Sequence, residues 1–273
     1  MFDPEVYLHR IGCADLRGTG IDALRTLHKR HLMAIPYNSG TPLAGAYTDG
    51  RDGVGLVTVD EDAVFDGSVV RGGGGVCFHL NRLFVRLLRH LGFDARLLAA
   101  GTAEGREYLG TDIDHMFILA SVDGKDWLVD VGYPGPSYIE PLLLREGTQT
   151  QYGCRYRITA DGDQLELARR GRTTRWSQVY RFRPRPRDPA DWLDLEEKLR
   201  VRSAAADPGD GDTVLCGRTL DDGQVVLKGR RHLVVRDGRE RVRTLVDDAE
   251  FHDTISRILT GAPKAAPTAN SGK

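Results

Sequence analysis

No apolar run in the sequence approaches the roughly 18 residues that a membrane-crossing helix needs, so neither a transmembrane span nor a membrane partner is expected. The opening, MFDPEVYLHRIG, carries acids early and lacks the apolar core of a signal peptide, so the expected location is the cytoplasm. An excess of one charge sign is missing too. Formal net charge is −1 with 28% charged residues, which gives no reason to expect nucleic acid as a partner. Only four cysteines occur, Cys13, Cys77, Cys154 and Cys216, far apart and without a C-x-x-C pair. That speaks against a structural zinc site and against a disulfide scaffold. The eight histidines include no H-E-x-x-H, so a metal enzyme is not expected. Internal repeats are absent.

The 273 residues and 40% hydrophobic content suit a globular protein of one large domain or a few small ones. The first third reads as helical. Asp3 caps a short helix with Pro4 at its first position, and Gly12 ends it. Thr19 is expected to cap a second, with Ile21, Leu24, Leu27, His28 and His31 at helical spacing, ending before Pro36. Residues 39–70 read as loop. From Cys77 an amphipathic helix carries Phe78, Leu80, Leu83, Phe84, Leu87 and Leu88 and ends at Gly92.

The period then changes. ARLLAAGTA, HMFILASV, WLVDVGY, RYRITA and QLELARR read as short strands of an antiparallel barrel or sandwich. YRFRPRPRDPADW reads as a linker. A helix near 190–201, a Gly/Asp loop, four strands between 213 and 246 with turns at Asp222-Gly223 and Asp237-Gly238, and a helix near 247–259 follow. The expected class is α+β, divided into 1–92 helical, 93–188 stranded, 189–260 mixed and a flexible tail at 261–273.

The stretch RGGGGVCFHLN, residues 71–81, carries the first chemical signal. Gly72 to Gly75 let the backbone bend and approach a ligand closely, and Cys77 then begins a helix. Unpaired amides and the positive dipole end favour a thiolate there and can stabilise an oxyanion. A buried, inert cysteine is the plain alternative. A phosphate loop fits less well, since no Lys-Ser or Lys-Thr follows the glycines.

The base is sought in DHMFILASVDGKDWLVDVG. With Asp123-Gly124 as a two-residue turn, Val122 pairs with Lys125, Phe117 falls opposite Asp130 and His115 opposite Gly132. His115 and Asp130 become diagonal neighbours on one face, roughly 7–8 Å apart, a reach that suits a carboxylate–imidazole hydrogen bond. Asp130 lies inside the apolar run WLVDVGY, where an unpaired carboxylate is costly, and a partner histidine removes that difficulty. The outcome is a Cys77–His115–Asp130 set, against the plain alternatives of a solvated strand-end histidine and a satisfied core acid.

These stretches, with FDPEVYLHRIG and LHKRHLMAIPYN, resemble the arylamine N-acetyltransferase family over roughly residues 1–260. The resemblance implies a helical bundle, a central antiparallel β-barrel and a C-terminal α/β lid, around a cysteine-proteinase-like core. It implies ping-pong transfer of an acyl group from a thioester, acetyl-CoA or another acyl-CoA, to a small-molecule amine. No tightly bound cofactor is implied. Cys77 would be acylated, His115 would be the base and Asp130 would orient it. The chain departs from the family by two extra residues before Cys77, by His79 in place of a Glu, and by IPYNS at 35–39 where Ile-Pro-Phe-Glu-Asn is expected. Arg71, which leans on acidic partners in the family, is then expected to bond Asn38 and His79 instead.

Other residues carry weaker expectations. His79 lies on another face of the helix from Cys77 and reads as support or pocket. Gly75, Val76 and Phe78 flank the nucleophile, and Phe117 and Tyr133 flank the base and acid. All five are expected to support the site or bind substrate, with Phe117 as an acceptor-pocket wall or plain core. Arg71 and the basic segment 181–187 can meet coenzyme phosphates or a carrier protein, but structural roles suffice for both. A lid near 190–215 would exclude water. The alternatives to acetyl transfer are an amide synthase of secondary metabolism taking a larger acyl chain from a carrier protein or CoA, a cysteine hydrolase, and a binding protein with an inert triad.

Overall fold

A computed structural model describes residues 1–39, 55–102, 110–205 and 214–261. Asp3 accepts the amides of Glu5 and Val6 and starts helix α1 (Pro4–Arg10), and Gly12 at φ +68 turns the chain away. Helix α2 (Ile21–Ala34) is capped by Gly20, not Thr19, because the extended Gly20 backbone delays the helix by one residue. Strand β1 (Tyr37–Asn38) follows. The region expected to be loop contains helix α3 (Glu61–Phe65), capped by Asp60 and continued as a π-helical turn over Asp66–Val70. Its buried Val64, Phe65 and Val69 explain why it is ordered: Phe65 packs against Phe2 and Tyr7. Residues 40–54 of that stretch lie outside the described residues. Helix α4 (Cys77–His90) buries Leu80, Leu83, Phe84, Leu87 and Leu88 completely. Each such side chain contributes about 1.5–3 kcal/mol to holding the helix in place.

The glycine run has a packing reason. Tyr37 and Gly75 form a parallel bridge, the Asn38 amide donates to Gly75 O at 3.0 Å, and Asn38 Nδ2 donates to Gly73 O at 3.0 Å. At Gly74, with φ +71, a Cβ would sit 2.1 Å from the Pro36 carbonyl oxygen. Only glycine permits so close a backbone approach.

The large sheet contains β2 (Asp94–Thr102), β3 (His115–Val122), β4 (Lys125–Val129), β5 (Leu142–Leu143), β6 (Gly147–Gln151), β7 (Cys154–Asp161), β8 (Gln164–Arg170) and β9 (Ser177–Phe182). Its order is β5-β4-β3-β2-β9-β8-β7-β6, a nearly closed antiparallel barrel. The β3–β4 register runs from Val122↔Lys125 to Ile118↔Val129 across an Asp123-Gly124 turn with φ +52 and +70, as the sequence implies. The expected linker is partly strand, because β9 buries Val179, Tyr180 and Phe182 and pairs with both β2 and β8. Even beyond β9 the chain is tied down, with the Arg187 amide on Leu97 O.

A 3-10 turn (Pro189–Trp192) leads into α5 (Leu193–Ala205). Trp192 is fully buried against Phe78, and its Nε1 donates to Ile113 O at 2.8 Å. Glu196 accepts the Val57 and Thr58 amides, which fastens α5 to the chain before α3. The second sheet orders as β1-β10-β11-β12-β13, with β10 (Leu215–Leu220), β11 (Gly223–Lys228), β12 (Arg231–Arg236) and β13 (Arg239–Thr244). The first turn is Asp221-Asp222, one residue earlier than expected. Gly223 already pairs with Leu220, and a Cβ there would meet Val235 O at 1.9 Å. Asp237-Gly238 forms a turn as expected. Helix α6 (Asp248–Thr260) closes the described chain, and the expected tail beyond Gly261 lies outside it. No helix among the described residues is long and apolar enough to cross a membrane. The α+β architecture read from the sequence is the one observed.

Three histidines are buried around the helices. Burial pushes His28 and His79 down to about 4 and His31 to about 3. Their unfolded counterparts protonate near 6.5. The unfolded state therefore binds more protons below that pH, and stability falls as pH drops from about 6.5 towards 4, by up to about 1.4 kcal/mol per unit per ring. The urea midpoint is expected to be lower at pH 5 than at pH 7.5, with a smaller difference in His31→Gln. An equal midpoint at both pH values would contradict this.

Candidate active site

Cys77 is the first residue of α4, after Val76 in an extended conformation (ψ 173). Val76 O accepts the amides of His79 and Leu80, so those of Cys77 and Phe78 precede the first helical bond and lie at the positive end of the helix. His115 opens β3 and Asp130 follows β4. All three side chains are buried. His115 Nε2 lies 2.7 Å from Asp130 Oδ2. The Cys77 sulfur is the other charged neighbour of the imidazole and acts on it electrostatically, while Nε2 is committed to the carboxylate. The structure thus brings the three expected residues into one chain of contacts.

Asp130 is held from several sides. Its Oδ1 accepts from Asn81 Nδ2 at 3.2 Å and from the Gly132 amide at 3.0 Å. Its backbone oxygen lies 2.8 Å from His28 Nε2 on α2. Asn81 Nδ2 also donates to Met116 O at 2.7 Å, and Asn81 Oδ1 accepts the Val131 amide at 3.1 Å. One amide thereby ties α4 to the residues carrying both His115 and Asp130. Asn81 stood in the quoted stretch without a role. Its signal was a polar amide one turn after Cys77, on the buried face of an amphipathic helix. Gly132 was missed too: a Cβ there would lie 2.6 Å from Cys77 Cα, so only glycine lets this segment touch the start of α4.

Burial disfavours charge on His115, but the Asp130 carboxylate and the Cys77 sulfur outweigh it and push the ring up to about 10. The imidazolium is therefore the favoured form at neutral pH. Around it stand Phe117, Tyr133 and Tyr180. Phe117 is fully buried in the barrel core, the plainer of its two expected places. Tyr133 donates its hydroxyl to Val179 O and lines a shallow, narrow cleft with Leu32, Ile35, Tyr37 and Gln224. None of the three triad residues lines that cleft.

Arg71 does not bond Asn38 or His79. It is half exposed and pairs with Asp66 at 3.0 Å, because Gly72 at φ +73 turns the chain just after it and the π-helical turn supplies the acid. Asn38 grips the glycine run instead, and His79 Nε2 bonds Gly55 O at 2.9 Å. The buried cation in this region is Arg82, on Glu61 and Leu56 O. Gly75 packs flush against His79 and Ser68, and Phe78 meets Trp192 edge-on. In the basic segment, Arg183 is neutralised by Asp112 and Asp163. Cys13, Cys154 and Cys216 are buried, and burial pushes the Cys13 and Cys216 thiols up, the latter to about 12. Among the described residues no three His, Cys, Asp or Glu side chains are grouped to hold a metal ion. Of the expected lid, residues 206–213 lie outside the described residues.

Comparison with known proteins bears on family and fold. The sequence matches the N-acetyltransferase family over residues 20–260. It is 51% identical over 261 residues, 96% of this chain and 98% of the other, to proansamycin X synthase of Amycolatopsis mediterranei (strain S699). It is 30% identical over 247 residues, 85% and 82% of the two chains, to an arylamine N-acetyltransferase of Mycolicibacterium smegmatis. The solved M. smegmatis arylamine N-acetyltransferase superposes with a TM-score of 0.77 at 27% identity, covering 95% of this chain and 93% of that one. The Mycobacterium marinum enzyme in complex with CoA gives 0.73 at 28% identity, covering 95% and 94%. Fold and sequence agree, and the chain belongs to the N-acetyltransferase family.

Proposed function

We propose that the protein forms amide bonds by passing an acyl group from a thioester through Cys77 to an amine. The observation that carries this is the buried contact series from Cys77 to His115 to Asp130, set at a helix start. The Cys77 thiolate attacks the thioester carbonyl, and a new carbon–sulfur bond forms as the old one breaks. His115 gives its proton to the departing thiolate. The amine then attacks the acyl-cysteine, and the Cys77 thiolate leaves. His115 takes the amine proton, so the site returns to its starting state with one amide and one thiol released. A thiolate exchanges with a thioester at little thermodynamic cost, which suits cysteine to the first step. The helix-start amides of Cys77 and Phe78 are placed to receive the oxyanion.

The donor is an acyl thioester. The CoA-bound M. marinum relative supports a coenzyme A carrier. A second reading is favoured by the 51% match, over nearly both whole chains, to a protein named a synthase, an amide synthase of the family. On that reading the acyl chain is larger than acetyl and arrives on CoA or a carrier protein.

Intact-protein mass spectrometry after exposure to a panel of acyl thioesters is expected to show one acyl mass on Cys77, absent in Cys77→Ser. No addition with any thioester would overturn the proposal, and the length preferred separates the two readings. Acylation is expected to slow by about 10²–10⁴-fold in His115→Ala. The pH profile of Cys77 alkylation is expected to differ between the wild type and that variant, because the ring that titrates at about 10 is missing from the latter. Parallel pH profiles would exclude His115 as the base. Asn81→Ala, which loosens Asp130, is expected to cost up to about 10²-fold in acylation rate with Cys77 still alkylated. An unchanged rate would remove Asn81 from the positioning set.

A further inference from the structure

Tyr180 comes from the segment whose composition reads as a linker, and it stands inside the barrel beside the imidazole. Its ring centroid is 5.7 Å from that of His115, with the planes at 31°. Tyr133 stands edge-to-face at 5.6 Å, and Phe117 lies at 6.1 Å with its plane within 9° of the imidazole. Both tyrosine hydroxyls are engaged elsewhere: Tyr133 donates to Val179 O, and the Tyr180 hydroxyl pairs with that of Tyr138 at 2.8 Å. What these rings present to His115 is aromatic surface. Burial holds the Tyr138 and Tyr180 phenols well above their ordinary range, so those rings stay neutral.

We propose that Tyr180, with Phe117 and Tyr133, is a positioning residue that keeps His115 in its cationic form beside Cys77. The inference rests on the proposed role of His115 as base. A buried imidazolium loses its hydration, and purely aliphatic filling would push it towards the neutral ring. Aromatic rings within about 6 Å replace part of that hydration through their quadrupoles. Among the described residues, the titratable groups facing the ring are Asp130, after β4, Cys77, on α4, and the phenols of Tyr133 and Tyr180. Of these, the carboxylate and the sulfur supply the opposite charge. The aromatic rings add attraction without a second anion that would compete with Cys77 for the proton.

The test is the pH dependence of Cys77 alkylation by iodoacetamide between pH 6 and 11, read by mass spectrometry, for the wild type, Tyr180→Phe and Tyr180→Leu. Tyr180→Phe keeps the ring, and its profile is expected to coincide with the wild type. Tyr180→Leu removes the ring, and the upper limb, where the imidazolium loses its proton, is expected to move down by roughly 0.5–1.5 pH units. A packing role alone would lower the urea midpoint of Tyr180→Leu and leave the profile in place, which would overturn the inference. Phe117→Leu carries the same expected shift and decides the matter if Tyr180→Leu does not fold. A wild-type profile matching that of His115→Ala would overturn the base role and this inference together. A wild-type profile unlike it, with no shift in the leucine variants, would overturn this inference alone.

Discussion

The carboxylate of Asp130 is sealed from water, and a charge in that position has to be satisfied on both oxygens and fixed at its backbone. His115 takes one oxygen, while Asn81 and the Gly132 amide take the other. His28 on α2 holds the peptide itself. Satisfying one acid thus draws together two helices and two strands. The sulfur of Cys77 meets the imidazole because Asn81, one turn along α4, is committed to the same acid. The polar cluster supplies the geometric specificity that the surrounding leucines lack, since apolar packing alone tolerates small slides between helix and sheet.

Close backbone contact does the remaining alignment. The glycine run lies flush against Pro36–Asn38 on one side of α4, and Gly132 touches the Cys77 backbone on the other. The start of the helix is therefore held by two contacts that a side chain on the glycines would block. The departures from the family pattern find their explanation here. His79 and Asn38 support backbone carbonyls rather than Arg71, and Arg71 faces outward to Asp66.

Much of this was legible in the sequence where the determinant was local. The Asp123-Gly124 turn and the strand period fix the β3–β4 register, and the register places His115 beside Asp130. The α4 pattern, with its apolar stripe and terminal Gly92, could be read directly. What escaped depended on distant partners. Strand β9 was hidden because prolines and arginines dominate its neighbourhood, while Val179, Tyr180 and Phe182 gain meaning only against β2 and β8. Strand β1 has two residues and is defined by its distant partners, β10 and Gly75. The Asp221-Asp222 turn was misplaced because Gly223 is required by the Val235 carbonyl across the sheet, not by the turn. Asn81 was passed over because an amide on a helix face has no distinguishing pattern until the strands beneath it are known.

The pairing of β1 with β10 has a consequence for how the protein comes into being. Asn38, which grips the glycines before Cys77, is itself flanked by Cys216. The neighbour that completes this edge is translated some 140 residues after Cys77, so a nascent chain can make the thiol long before it can finish the surroundings that hold it.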